Sequence, residues 1–327
     1  MPSSEPKNHH YIPRAQLKLF GIKEYKNSIW QYNKETQKLE QKNIEKTACI
    51  RKFYRVEDDS VTDPLFAEKF FGKIESIAIS LIRQLSGFEE PPKVTREQDK
   101  KRLIRFFIFL VMQEFRTVAG REAFETLVKS FLFPLIAEHY KDDDNFDINK
   151  LSLTMKNKGH IHFLRNVILR LSEYYIANCR LIFAYSHKNS QFIITDNPVL
   201  LYSHPTNPHK GGIYQSGAYK FFPLSCNLGV FVGKGSFKTP YEIILSKEET
   251  RKINVDLASQ ARQYIYGSSK TQIERIIKAI NNEKFMISDY TTVNTIPVDI
   301  STGIIHVKTD RSISLHQSIR YKLEPVN

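Results

Sequence analysis

The sequence predicts an α+β fold in which a central helical block is flanked by an N-terminal β-hairpin and a C-terminal mixed β/α part. Three observations predict it. Two short alternating runs flank Asn33-Lys34-Glu35-Thr36 near the start of the chain. Apolar residues then recur at helical spacing through the middle third. From Arg180 onward short β-like runs alternate with two further helical stretches. Runs of strands segregated from runs of helices are the pattern of an α+β architecture. We read the 327 residues as one large domain with three segments, 8–62 β-rich, 63–179 helical and 180–327 mixed.

The elements follow in order. Ser28 to Lys42 has the alternation of a hairpin. Asp63-Pro64 opens a helix whose apolar positions are Phe70, Phe71, Ile74, Ile77, Ala78, Leu81, Ile82 and Leu85. Pro91-Pro92 ends that unit, and Thr95-Arg96-Glu97-Gln98 is a capping box for the next. Helices are expected over Arg102–Thr117, Arg121–Tyr140 and His160–Asn178, with Asp142-Asp143-Asp144 as a solvated connector. Leu181–Tyr185 and Gln191–Thr195 read as a hairpin closed by His187-Lys188-Asn189-Ser190. Phe221-Phe222 leads into Pro223-Leu224-Ser225, and Leu228–Val232 reads as a further strand. Lys247–Tyr264 and Lys270–Ile280 read as helices, and Ile296–Leu323 as extended chain.

Composition bounds the function. The chain carries 48 Lys and Arg against 35 Asp and Glu, a net charge of +13. Such an excess attracts phosphate, which favours nucleic acid, or an anionic lipid surface, as partner. The alternative is a basic surface without a polyanionic partner. Cys49, Cys179 and Cys226 are odd in number and far apart, so neither a disulfide framework nor a structural zinc site is expected. The longest apolar run, Leu103 to Met112, is interrupted by Arg105 and is about half the roughly 20 residues a membrane span needs. No membrane span and no signal peptide are expected, and the predicted location is the cytoplasm.

Three groups of residues could carry chemistry. The first is Asn8-His9-His10-Tyr11-Ile12-Pro13-Arg14, where a histidine could act as general base and Arg14 could hold a phosphate. Pro13 keeps Ile12 extended, so His10 and Ile12 should face one way and His9 and Tyr11 the other. The bland alternative is an ordered strand whose histidines satisfy backbone groups. The second is Gln113 with Arg116, at i and i+3 on an apolar helix, with Arg105 and Phe109 expected on the same stripe. A buried guanidinium needs a partner, either an anionic ligand or a carboxylate, for which Glu75 is the internal candidate. The third is Thr195-Asp196-Asn197-Pro198, two short polar side chains at a strand end, where catalytic carboxylates and ordinary turns both occur. His160 and His162 form a weaker pair, on a strand or at a helix start, and Lys210-Gly211-Gly212 and Gly233-Lys234-Gly235 read as loops.

Together, His9-His10-Tyr11-Ile12-Pro13-Arg14, Ile29-Trp30-Gln31-Tyr32, Gln113 with Arg116, Ile194-Thr195-Asp196-Asn197-Pro198 and Pro223-Leu224-Ser225 resemble an uncharacterised bacterial family whose members open with HHYVP or HHYIP. This is domain-of-unknown-function family 4238, and the resemblance spans about Asn8 to Gly267. It implies a fold and a residue set and no reaction. The opening residues are also similar to the first motif of HNH nucleases, with His10 in the place of the general base, but Gln31 to Tyr54 holds no histidine to complete such a site.

The expected function is nucleic-acid processing by a hydrolytic nuclease of a bacterial defence or toxin type. His10, Asp196 and Arg116 are the expected catalytic residues, and His9, Arg14, Gln113 and Asn197 the substrate-binding ones. The alternative is a non-catalytic sensor or binding protein for an anionic ligand. A divalent metal is left open as cofactor, and a protein partner or homo-oligomer as assembly.

Overall fold

The structure is a computed structural model that describes residues 8–54, 66–87, 96–127, 147, 160–202, 217–234 and 242–282. It has the α+β architecture read from the sequence. The chain opens with β1 (Asn8–His10), a one-turn helix α1 (Arg14–Leu17) and the hairpin β2 (Ser28–Asn33) and β3 (Lys38–Asn43), then β4 (Cys49–Arg51). The helical block follows as α2 (Phe66–Leu85), α3 (Arg96–Phe115), α4 (Val118–Leu127) and α5 (His160–Asn178). Beyond it lie β5 (Cys179–Tyr185), β6 (Ile194–Thr195), β7 (Leu200–Tyr202), β8 (Tyr219–Pro223), β9 (Leu228–Lys234), β10 (Glu242–Ile244), α6 (Lys247–Gln260), β11 (Tyr264–Gly267) and α7 (Lys270–Asn282).

The hairpin forms where expected, and its turn chemistry is local. Asn33 Oδ1 accepts from the backbone N–H groups of Glu35 at 2.9 Å and Thr36 at 3.2 Å. An Asx turn of this kind releases the strand into its loop. The hairpin does not stand alone. β2 pairs antiparallel with β11, and β11 with β6, giving a four-stranded sheet in the order β3-β2-β11-β6. Strands from both ends of the chain thus share one sheet. A second sheet runs β10-β5-β9-β8-β7, with only the β10–β5 pair parallel. Every residue of β8 is buried, so this sheet is covered on both faces. β1 pairs only with β4, in a two-stranded ribbon beside the helical block.

Four expectations are corrected. β5 and β6 do not form a hairpin, since β5 pairs with β9 and β10 while β6 pairs with β11. The turn at 187–190 exists, closed by Ser190 N–H on the His187 carbonyl at 2.8 Å, but it hands the chain from one sheet to the other. The helix expected over Lys247–Tyr264 stops at Gln260, and Tyr264 instead opens β11. Gly233 and Lys234 are the last residues of β9 and not loop. Arg105 is exposed, and Phe106 takes the place on the α3 stripe that we had assigned to it. His160 and His162 stand at a helix start. Asp63-Pro64, Pro91-Pro92, the Thr95 cap, Asp142–Asp144, Lys210–Gly212 and Ile296–Leu323 lie outside the described residues.

The seams of α2 and α3 position the site. The fully buried stripe of α3 runs Phe106, Phe109, Gln113 and continues to Arg116, the residue just past the helix, a 3-4-3 spacing in which the last two members are polar. On α2 the spacing Glu68, Phe71, Glu75, Ala78, Ile82 likewise places two carboxylates on an otherwise apolar stripe. Both helices are 20 residues long and pack against each other. Polar groups in facing apolar seams must find one another or a ligand.

Candidate functional site

The N-terminal strand lies against these polar seam residues. Arg116 is 3% exposed and donates through Nη1 to Glu75 and through Nη2 to the His10 carbonyl oxygen at 2.6 Å. Tyr54 donates its hydroxyl to the Arg116 carbonyl at 2.6 Å, and its ring and that of Phe71 stack under the guanidinium. Burial opposes the charge on Arg116, yet Glu75 and Tyr54 beside it raise its pKa, so it stays a cation. Burial pushes the Tyr54 hydroxyl up to about 12. The internal partner anticipated for Arg116 is therefore present. It engages Arg116 from a carboxylate that is itself only 20% exposed.

His9 and His10 face differently, as the extended backbone requires. His9 is buried, and its Nδ1 accepts the Tyr54 backbone N–H at 2.9 Å. Its Nε2 must then carry the proton, and it faces Glu68 Oε2 at 3.0 Å. His9 thus bonds Tyr54 and stands against α2, although Glu68 Oε2 makes no hydrogen bond among the described residues. His10 is half-buried. Burial lowers its pKa from the ordinary 6.5, an effect partly offset by the Ile44 backbone and reinforced by the charges of Arg14 and Arg116. Its Nε2 is closed to solvent and has no hydrogen-bond partner among the described residues. Gln113 is 2% exposed, and both atoms of its amide are likewise unpartnered there. Arg14 stands at the edge, 54% exposed and 3.5 Å from an equally exposed Glu45.

Asp196 is engaged elsewhere. Its Oδ1 accepts the Arg262 N–H at 2.9 Å, and its Oδ2 those of Gln263 at 2.7 Å and Tyr264 at 2.9 Å. Burial raises its pKa, while those three donors and Lys34 pull it down. Asp196 thus pins the connection between α6 and β11. Its charge is felt at Tyr11 and Tyr266, whose hydroxyls lie 3.1 Å apart, so it touches the first motif only through the neighbour of His10. Asn197 donates weakly to the Gln260 carbonyl at 3.4 Å, a further tie to the end of α6. The structure accordingly brings His10, Arg14, Arg116 and Glu75 into one neighbourhood and gives Asp196 and Asn197 a separate seat.

Several polar residues escaped the sequence reading. Lys220, the second residue of buried β8, holds Glu114 Oε1 at 2.5 Å and Oε2 at 2.6 Å, with the Tyr175 hydroxyl at 3.0 Å. Its signal was a lysine inside the run Tyr219-Lys220-Phe221-Phe222. Lys34 caps the end of α6, donating to the Ala258, Ser259 and Ala261 carbonyls at 3.4, 3.3 and 2.6 Å. Ser225, of the Pro223-Leu224-Ser225 motif, meets the Ser86 hydroxyl at 2.9 Å and so joins the end of α2 to the second sheet. Among the described residues no group of three or more His, Cys, Asp or Glu is arranged to hold a metal ion. No described helix is long and apolar enough to cross a membrane, and the three cysteines are free.

Fold and site together define an α+β protein whose N-terminal histidine strand is clasped by the polar residues on the buried faces of two amphipathic helices. The family model described as "Protein of unknown function (DUF4238)" matches residues 8–271, and the chain belongs to that family. No curated protein and no solved structure matches it.

Proposed function

We propose that the protein is a nucleic-acid-processing enzyme that cleaves phosphodiester bonds, with His10 as general base. The single observation that carries this reading is His10 Nε2, without a hydrogen-bond partner among the described residues and under the charges of Arg14 and Arg116. A buried nitrogen without a partner is costly, and such groups are kept where they serve chemistry or hold an unseen molecule. A neutral imidazole is the competent form of a base, and low polarity keeps it neutral at pH 7. Arg14, half exposed, can reach a phosphate oxygen, and the net charge of +13 supports a polyanionic substrate. Arg116 holds the strand that carries His10 and serves as a positioning residue. Because Nε2 is closed to solvent, the reading requires the site to open before substrate reaches it.

A cytoplasmic nuclease of a defence or toxin type is the form of this proposal that fits the charge and the reduced cysteines. The second reading, a non-catalytic sensor of an anionic ligand, is favoured by the unpartnered Gln113 amide, which offers a donor and an acceptor but no acid–base chemistry. Incubation of the purified chain with mixed RNA and DNA, with and without divalent metal, tests the enzyme reading. Binding without cleavage under every condition would favour the sensor.

A further inference from the structure

We infer that the substrate is RNA and that the attacking group is its own 2′-hydroxyl, so the reaction is an intramolecular transfer and not a hydrolysis. This inference rests on the reading of His10 as a base in phosphodiester cleavage. It follows from how Glu75 and Glu68 beside the N-terminal strand, and Asp196 in its separate seat, are already placed. Glu75 is held by Arg116, Glu68 faces His9 at 3.0 Å, and Asp196 accepts three backbone N–H groups. Glu75 and Asp196 would have to give up these partners before either could ligate a metal or act as a base, and Glu68, whose Oε2 makes no hydrogen bond among the described residues, is a single carboxylate. Among the described residues, the atoms without a hydrogen bond here are His10 Nε2, the Gln113 amide and the single carboxylate oxygen Glu68 Oε2, so the imidazole is the one nitrogen base among them, with an exposed guanidinium at the edge of the site.

That inventory suits one chemistry better than another. Water must be captured, oriented and deprotonated, a task often given to carboxylate-bound metal ions. A ribose 2′-hydroxyl is already tethered beside the phosphorus, and well-oriented intramolecular nucleophiles reach effective molarities on the order of 10⁵–10⁸ M. A single base and a cation then suffice. In the step, the 2′-hydroxyl gives its proton to His10 Nε2 as the O2′–P bond forms. The P–O5′ bond breaks, and the departing oxygen takes a proton from water. The hydroxide left behind recovers the proton from the imidazolium, so none is consumed overall. The products are a 2′,3′-cyclic phosphate and a 5′-hydroxyl. Arg14 offsets the charge that gathers on the phosphate oxygens.

The test uses the full chain and three end-labelled oligonucleotides of one sequence: all-ribose, all-deoxyribose, and deoxyribose with a single internal ribonucleotide. Each is incubated in EDTA and again in magnesium. The inference expects cleavage of the first, cleavage of the third only after its ribonucleotide, and a cyclic phosphate terminus by mass. It expects all three results to be the same in EDTA. His10→Ala should lose roughly 10²–10⁴-fold in rate while still binding a 2′-O-methyl RNA of the same sequence. Cleavage of the all-deoxyribose strand, or products ending in a 3′-hydroxyl, would overturn the inference and leave the nuclease reading standing. Cleavage of none of the three in either buffer would overturn both. Undiminished cleavage by His10→Ala would remove His10 from either scheme.

Discussion

Arg116, just past the end of α3, donates to the backbone carbonyl of His10 at 2.6 Å across 106 residues of sequence. The bond ties the N-terminal strand to the helical block at the residue whose imidazole Nε2 has no hydrogen-bond partner among the described residues. Glu75 makes this affordable, because it keeps the guanidinium from being an isolated buried charge.

Removing either member of that pair should therefore unequally damage the fold. Arg116→Ala strands Glu75 and the His10 carbonyl together, while the Tyr54 hydroxyl keeps its bond to the backbone carbonyl of residue 116, and we expect a loss of about 3–5 kcal/mol by urea denaturation. Glu75→Gln keeps a hydrogen-bond acceptor on a carbonyl oxygen and should cost less. The double variant should be milder than the sum of its parts, since it no longer leaves a lone charge. Strict additivity would mean that the two side chains do not depend on each other.

Asp196→Asn replaces two acceptor oxygens with one, against three converging backbone donors. At least one N–H then faces an amide NH₂, at about 1–3 kcal/mol for each donor left unsatisfied. Hydrogen exchange at Arg262, Gln263 and Tyr264 should accelerate more than at β9. Unchanged exchange at those three amides would show that the carboxylate does not anchor the turn.

Lys220→Met leaves the Glu114 carboxylate beside Tyr175 without its cation, and a loss of about 3–5 kcal/mol is expected. Adding Glu114→Gln should recover most of it, since no unpaired charge then remains. Circular dichroism melts of the single and double variants measure the difference. A double variant as unstable as the single one would mean that packing, not charge, decides the site.

The pH dependence follows from His10. Its folded pKa lies below 6.5, so between that folded value and 6.5 the unfolded chain binds more protons than the native one. Stability should be flat above pH 6.5 and fall as the pH drops through 6.5 toward the folded value. His10→Gln should show a shallower fall over that window. Glu75, Arg14 and Arg116 contribute to the shift, so the comparison is made at constant, low ionic strength.

Periodicity made the helices legible, because burying one face forces apolar residues to recur along α2, α3 and α5. It also revealed Arg116, since a charge in such a stripe is an exception that asks for a partner, and Glu75 was the carboxylate on the preceding stripe. Glu68 carried the same signal seven residues earlier and went unused. The pairing of β5 and β6 was not legible. A turn at His187–Ser190 fixes that the chain reverses but not which sheet each arm joins, and that is decided by β9 and β11, far along the sequence. Tyr264 was read as helix because an aromatic after an amphipathic run fits either period. The role of Asp196 was hidden for the same reason, as its three donors come from a segment 66 to 68 residues away.

The central claim is that the free nitrogen of His10 takes a proton during cleavage, and the pH profile of single-turnover RNA cleavage tests it most directly. The account predicts a rate that is level at neutral pH and falls on an acid limb below 6.5. In His10→Ala that limb should vanish with nearly all of the rate. A wild-type rate that does not depend on pH between 5 and 8, the span in which an unperturbed histidine titrates, or an acid limb that survives in His10→Ala, would contradict it.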